Sequence, residues 1–272
     1  MVSGILSKII SRIQSSQVPA RRWFYGTSAV ILVLAAALRV FRYFLEPFPV
    51  RDGIWYTQMG QLIAENSWSD AIAANPGGLL EFYPPLIFAV ISGGQRWGIG
   101  AENAGWILIF TTGLLLPVAL ALIANELFSD WRYTLGALLF GSICPPAVRM
   151  SAQLLRETPY WCFCCFALLF GLRAVSGKGW WNWLVFCIFS SLAILTRREG
   201  VELLGAFLIF QAFQGWNRKE WFRILARKCM TIIGVVLFLL LLLLPIQFQL
   251  NANGSHWQPF PWNTIVTLFR RF

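Results

Sequence analysis

Charge is scarce in this chain. Only 12% of its 272 residues are Asp, Glu, Lys or Arg, against 57% hydrophobic, and the mean hydropathy is +0.62. A soluble domain carries roughly a quarter charged residues, so this composition lacks the polar surface that folding in water requires. A water-soluble enzyme is excluded. So is a nucleic-acid-binding domain, although the net charge is +10. Histidine is nearly absent: His256, in "NGSHWQPFPW", is the only one. A single imidazole cannot build a metal centre, and it reads as an ordinary loop residue. The six cysteines (Cys144, Cys162, Cys164, Cys165, Cys187 and Cys229) lie in or beside apolar runs. Neighbours such as Cys164 and Cys165 point in different directions on a helix, so the six read as packing residues. No cleavable leader is expected; the first apolar run, behind "ARRWF", reads as an uncleaved anchor.

What the chain has instead is a series of apolar stretches, each close to the roughly 20 residues that cross a bilayer as a helix. The spans expected are 23–44, 103–127, 133–148, 158–175, 180–196, 200–215 and 229–250. The fold class is therefore an all-α polytopic membrane protein. Ahead of the first span, residues 1–22 include "ILSKIISRI", an amphipathic stretch suited to the cytoplasmic membrane surface. Between the first two spans lies a long loop, 45–102, with two shorter helical pieces. "GIWYTQMGQLIAEN" is amphipathic, and "PPLIFAVISGGQRWG" is apolar but too short to span comfortably. A last segment, 251–272, follows the seventh span.

The distribution of basic residues orients this layout. With the N-terminus inside and seven alternating spans, twelve basic residues fall on the inner side and eight on the outer, leaving Arg270 and Arg271 unassigned. Basic residues favour the cytoplasmic side, so the loop 45–102 and the segment 251–272 are expected outside. All four lysines fall inside, and every basic residue placed outside is an arginine. The planar guanidinium fork matches phosphate, although pairing with nearby acids accounts for the same pattern.

Four charged clusters then collect at one membrane level: "VRDGIWY", "EFYPPL", "RMSAQLLRE" and "LTRREG". A charge inside a bilayer costs at least about 2.5 kcal/mol, so their convergence points to a polar cavity open to the outer side. Pro84 and Pro85 suit the first turn of a helix, where a missing N–H is no loss. Glu81 is left just outside that start, either at the rim of the cavity or simply near the positive end of the helix.

The motifs in order resemble the N-terminal part of the GT-C glycosyltransferases, in the branch with the aminoarabinose transferases and the protein mannosyltransferase-like proteins. The resemblance spans about residues 39–202. It rests on "RDGIWYTQMGQLIAE", "EFYPPLIFAV", "GAENAGWILIFTTGLLLPVALALIANELF", "CPPAVRMSAQLLRETPYW" and "LAILTRREG". It implies a GT-C-like bundle of about seven transmembrane helices (residues 23–250) with two juxtamembrane helices in the first external loop. It also implies an enzyme that moves a sugar from a polyprenyl-phosphate donor to a lipid, glycan or protein acceptor on the outer side of the cytoplasmic membrane.

In that reading Asp52 is the general base and Glu81 a second catalytic acid group. Arg149, Arg156, Arg197 and Arg198 are candidates for stabilising the leaving phosphate. Arg51, Glu157 and Glu199 join them at the substrate, and Tyr56 and Tyr83 are candidates for stacking on a sugar ring. No metal or other cofactor is required, although a divalent ion is compatible with Glu81 and Glu157. The other partners expected are membrane lipids, and a partner subunit that completes a short chain. Nucleic acid is not expected. The competing reading is a non-catalytic GT-C-like subunit that binds lipid or a partner transferase. A transporter fits less well, because no inverted repeat is evident.

Overall fold

The computed structural model describes residues 21–45, 51–66, 68, 71, 85–128, 130–215 and 233–236. All the regular structure among them is helical, as a chain in a lipid solvent requires: no water is present to satisfy backbone N–H and C=O groups, so they pair within each segment. The elements are α1 (Arg21–Leu45), α2 (Arg51–Glu65), α3 (Leu86–Arg96), α4 (Ala101–Phe128), α5 (Trp131–Ile143), α6 (Pro145–Met150), α7 (Glu157–Val175), α8 (Trp181–Thr196) and α9 (Gly200–Gly215). Of these, Trp23–Leu45, Ala101–Phe128 and Glu157–Val175 are long and apolar enough to cross a membrane, and α8 is apolar but shorter. The chain is an all-α polytopic membrane protein. Most of the expected span 229–250, and all of 1–20 and 251–272, lie outside the described residues.

The expected single span 133–148 is corrected. Helix α5 ends at Ile143, Cys144 takes an extended conformation (φ −54°, ψ 115°), and α6 restarts at Pro145. Two consecutive prolines explain the break. Neither offers an N–H to the preceding turn, and the residue before a proline is driven out of the helical region.

Two parts make up the described molecule. Helices α4, α5, α7 and α8 pack side by side as the body of the bundle, with α1 laid against α5. Glycines allow the closest approaches: a Cβ at Gly141 of α5 would lie 3.0 Å from the Cα of Pro117 in α4. At the far end of the chain, Phe186 and Cys187 of α8 pack with Phe207 of α9 and with Val235. The body also carries an ion triad. Glu126 near the end of α4 accepts a hydrogen bond from Arg173 Nε of α7 (3.1 Å) and another from Lys178 in the following turn.

The second part is the pair α2 and α3, which share a small core of their own. Tyr56, Ile63, Ile87, Phe88 and Ile91 are buried together with Trp68. Phe88 is edge-on to Trp55, Tyr56 and Trp68, with ring centroids 5.2, 5.8 and 6.3 Å away. Such geometry places the positive ring edge on a negative ring face. The Nη2 of Arg96, in the last turn of α3, donates to the carbonyl of Ile63 at 3.1 Å, satisfying one of the unpaired carbonyls at the end of α2. This core is what holds together two helices that are too short to span a membrane.

Close packing of α2 on α3 depends on Gly60, where a Cβ would lie 2.3 Å from Ile91 Cγ2. Gly60→Leu is expected to wedge the two helices apart at a cost of about 1–3 kcal/mol. Thermal unfolding of the detergent-solubilised protein measures this, and an unchanged midpoint would show that the hairpin packs differently.

Candidate active site

One end of the bundle gathers most of the charged clusters singled out in the sequence, and Leu154 is the residue that joins them. It lies in the turn between α6 and α7, 1% exposed, inside the α2–α3 core. Gly53 of α2 sits directly on it: a Cβ at Gly53 would lie 3.0 Å from Leu154 Cβ and 3.1 Å from its carbonyl oxygen. Gly105 of α4 approaches from the other side, 2.6 Å from Leu154 Cδ1 on the same construction. Two glycines thus let the first turn of α2 and the first turn of α4 close on one leucine.

The consequence for Asp52 is positional. It occupies the first turn of α2, next to Gly53, and is exposed, as is Arg51. A carboxylate is favourable there because the first turn presents unpaired N–H groups. It is also presented at the rim of the turn 151–156.

On the other side of Leu154 the chain enters α7 through Arg156 and Glu157. Arg197, which ends α8 in an extended conformation (φ −156°, ψ 134°), reaches back to this point. Its Nη1 donates to Glu157 Oε1 at 3.4 Å and its Nε to Glu199 Oε1 at 3.0 Å. Its guanidinium lies 5.7 Å from the ring centroid of Tyr160. The tight turn that makes this possible requires Gly200, since a Cβ there would come within 2.6 Å of the Ile194 amide nitrogen. The other carboxylate oxygen, Glu157 Oε2, is buried without a hydrogen-bond partner among the described residues, and so is Thr158 Oγ1.

The structure thus joins Arg197 to Glu157 and Glu199, and seats Gly53, next to Asp52, on Leu154, three residues before Glu157. Arg149 is exposed at the end of α6, one turn ahead of Leu154. Tyr56 is corrected: its ring is 1% exposed and packs against Phe88 and Trp55. A sugar would have to displace the hairpin core to stack on it, whereas Trp55 on the same helix is only half-buried. Glu81 and Tyr83 lie outside the described residues. Among the described residues no group of three or more His, Cys, Asp or Glu side chains is placed to hold a metal ion.

Sequence reasoning missed Leu154, Gly53 and Thr158, which carry no charge and sit in no recognisable pattern. Arg39, one of the eight basic residues counted on the outer side although it falls within the expected span 23–44, is completely buried. Its position inside an apolar run, six residues before the end of α1, was the available signal.

The family described as dolichyl-phosphate-mannose-protein mannosyltransferase matches residues 83–247, more than half of the chain. The match takes in α3 to α9 and begins after Asp52 and Glu81. No curated protein and no solved structure matches the chain.

Electrostatics at the α8–α9 turn give a measurable signature. Burial raises the Glu199 carboxyl, but a backbone hydrogen bond, the charge and hydrogen bond of Arg197 and the charge of Arg156 outweigh it, so its pKa is held below the ordinary value. A carboxyl lowered in the folded state stabilises fully above its unfolded value, and that stabilisation is lost as the pH falls through the folded one. Because the side chain is nearly half exposed, the effect is below about 1 kcal/mol. Glu199→Gln is therefore expected to melt slightly earlier than the unsubstituted protein at pH 7. The gap should close at acid pH; a gap that persists there would mean that the carboxylate charge is not its cause.

Proposed function

The chain belongs to the dolichyl-phosphate-mannose-protein mannosyltransferase family, of GT-C type, and from that premise we propose a reaction for the site. It is a membrane glycosyltransferase. In this reading it moves a sugar from a polyprenyl-phosphate-linked donor to an acceptor at the outer side of the cytoplasmic membrane. The observation that carries the reading is the seating of Gly53 on Leu154, which sets the first turn of α2, with Asp52, against the turn that leads to Glu157.

Asp52 removes the proton from an acceptor hydroxyl or amine as that atom attacks the anomeric carbon. The new bond forms while the bond from that carbon to the phosphate oxygen breaks, and the electron pair leaves with the lipid phosphate. This leaving group is a weak base, so it needs charge stabilisation more than protonation. The structure supports a ranking of the arginines for that task. Arg197 is shared between Glu157 and Glu199, and Arg156 acts on Glu199, so part of their charge is already neutralised. Arg149 and Arg51 have no acidic partner among the described residues and are exposed, which leaves their full charge for a phosphate. Glu157 Oε2 and Thr158 Oγ1, buried without partners, suit a donor group on the acceptor or the sugar.

The outward orientation rests on the excess of basic residues in the loops assigned to the inner side. Glu81, next to the start of α3, is kept as a second acidic group of the site on sequence grounds.

Transfer from a panel of labelled polyprenyl-phosphate sugars, in membranes that express the chain, tests the proposal. Asp52→Asn at matched expression is expected to lower turnover by about 10²–10⁴-fold. Turnover that survives the substitution would remove Asp52 from the role of base. No transfer from any donor would favour a non-catalytic subunit. Running the assay with and without a chelator separates a metal-free reaction from a metal-assisted one.

A further inference from the structure

Arg39 is the largest fully buried side chain among the described residues, at 0% exposure, and nothing above uses it. Its Nη1 donates to the carbonyl of Ala35 in its own helix at 3.0 Å and to the carbonyl of Ser142 in α5 at 3.2 Å. Its Nε and Nη2 have no partner among the described residues, and neither has the buried hydroxyl of Ser142.

The surroundings explain why a guanidinium is placed here. In an α-helix the carbonyl of residue i accepts from the N–H of residue i+4. Pro145 and Pro146 therefore deprive Gly141 and Ser142 of their donors, and Pro117 does the same to Gly113 of α4. Gly113 faces Arg39: a Cβ there would lie 3.3 Å from Arg39 Nε and 2.5 Å from Ser151 Cβ. Arg39 thus stands between two proline-interrupted helices whose carbonyls lack amide donors. It is also a cation at the negative C-terminal end of α5. The donor it supplies to Ser142 sits immediately before the point where the chain turns into α6. Ser151, at the far end of α6, closes over the same spot.

We propose that Arg39 is a positioning residue that holds the segment from Pro145 to Glu157 in place, and with it Arg149, Arg156 and Glu157. The contribution to catalysis rests on the transferase reading; the contribution to the segment does not. Arg39 acts through the backbone of α5 and through the gap between Gly113 and Ser151. Leu154 lies three residues beyond Ser151, so a shift of this segment changes the seat of Gly53 and the height of Asp52 relative to Glu157. A misplacement of about 1 Å at a reacting group lowers turnover by about a hundredfold.

Hydrogen–deuterium exchange of the full chain in nanodiscs, with Arg39→Met, Arg39→Lys and Gly113→Ala, decides the matter. Arg39→Met is expected to lose protection across 147–157 while the helix ends around Glu126 and Arg173 keep theirs. Arg39→Lys keeps the charge and a donor and is expected to retain part of the protection. Gly113→Ala presses on Ser151 from α4 without altering any charge, and reproduces the local loss if Arg39→Met proves unstable. Unchanged protection in 147–157, or a uniform loss that includes the Glu126 end, would overturn the proposal. In the transfer assay Arg39→Met should lower kcat by about tenfold to a hundredfold with the donor KM unchanged. A raised KM at unchanged kcat would instead make Arg39 a donor ligand and refute the positioning role. Absence of turnover in the unsubstituted chain counts against the transferase reading alone, and the exchange profile still decides the role of Arg39.

Discussion

Every backbone polar group of a chain in lipid has to find its partner inside the protein, and the architecture of this molecule follows from how that demand is met where proline prevents it. An uninterrupted helix satisfies itself. Proline at 117, 145 and 146 breaks the pattern in the two central helices, and the breaks face one another. The bundle answers with close glycine contacts, where the body of α5 meets Pro117, and with a buried guanidinium on α1 that donates to α5. The discontinuity at Cys144 then lets the chain leave the bundle axis and form the turn 151–156, around which the candidate site is built. Irregular backbone is tolerated in this turn because its first four residues, Ser151, Ala152, Gln153 and Leu154, are all buried.

The same economy governs charge. The side chain of Glu126 is largely buried, and Arg173 and Lys178 neutralise it at one end of the bundle. At the other end Arg197 bridges Glu157 and Glu199. The two clusters differ in what they leave over. The first uses one acid and two bases around a single carboxylate and ties α4 to α7. The second keeps one carboxylate oxygen buried without a partner, while Arg149 and Arg51 are exposed and have no acid to neutralise them among the described residues. Surplus hydrogen-bonding capacity in a covered site is characteristic of a place that receives something. That contrast, more than the presence of charge, distinguishes the candidate active end from the structural one.

The sequence foretold the helices well because hydrophobic length is a local property. The spans expected at 23–44, 103–127 and 158–175 correspond to α1, α4 and α7, and the two short pieces of the long loop correspond to α2 and α3. The span expected at 133–148 was misjudged although its cause is written in the sequence, since two prolines inside an apolar run announce a break. For the site, the charged residues at helix ends were legible: Asp52, Arg156, Glu157, Arg197 and Glu199 stand at or next to element boundaries. Tyr56 was misread, because an aromatic ring aimed at a neighbouring helix and one aimed at a ligand look alike in a sequence. Arg39 was misread for the converse reason, its burial being a property of α4 and α5 as much as of α1.

Composition and period by themselves determined that this chain lives in a membrane, that it is helical, and where most of its helices begin and end. These depend on each segment's own free energy in lipid. Which acids are neutralised, which arginines keep their charge, which ring is core, and which leucine joins α2 to the bundle were decided only by the tertiary structure. These are relations between residues far apart in the chain, 101 positions for Gly53 and Leu154 and 103 for Arg39 and Ser142. The physical reason is that pairing and burial are set by what the neighbouring helices bring, and no local pattern encodes its neighbours.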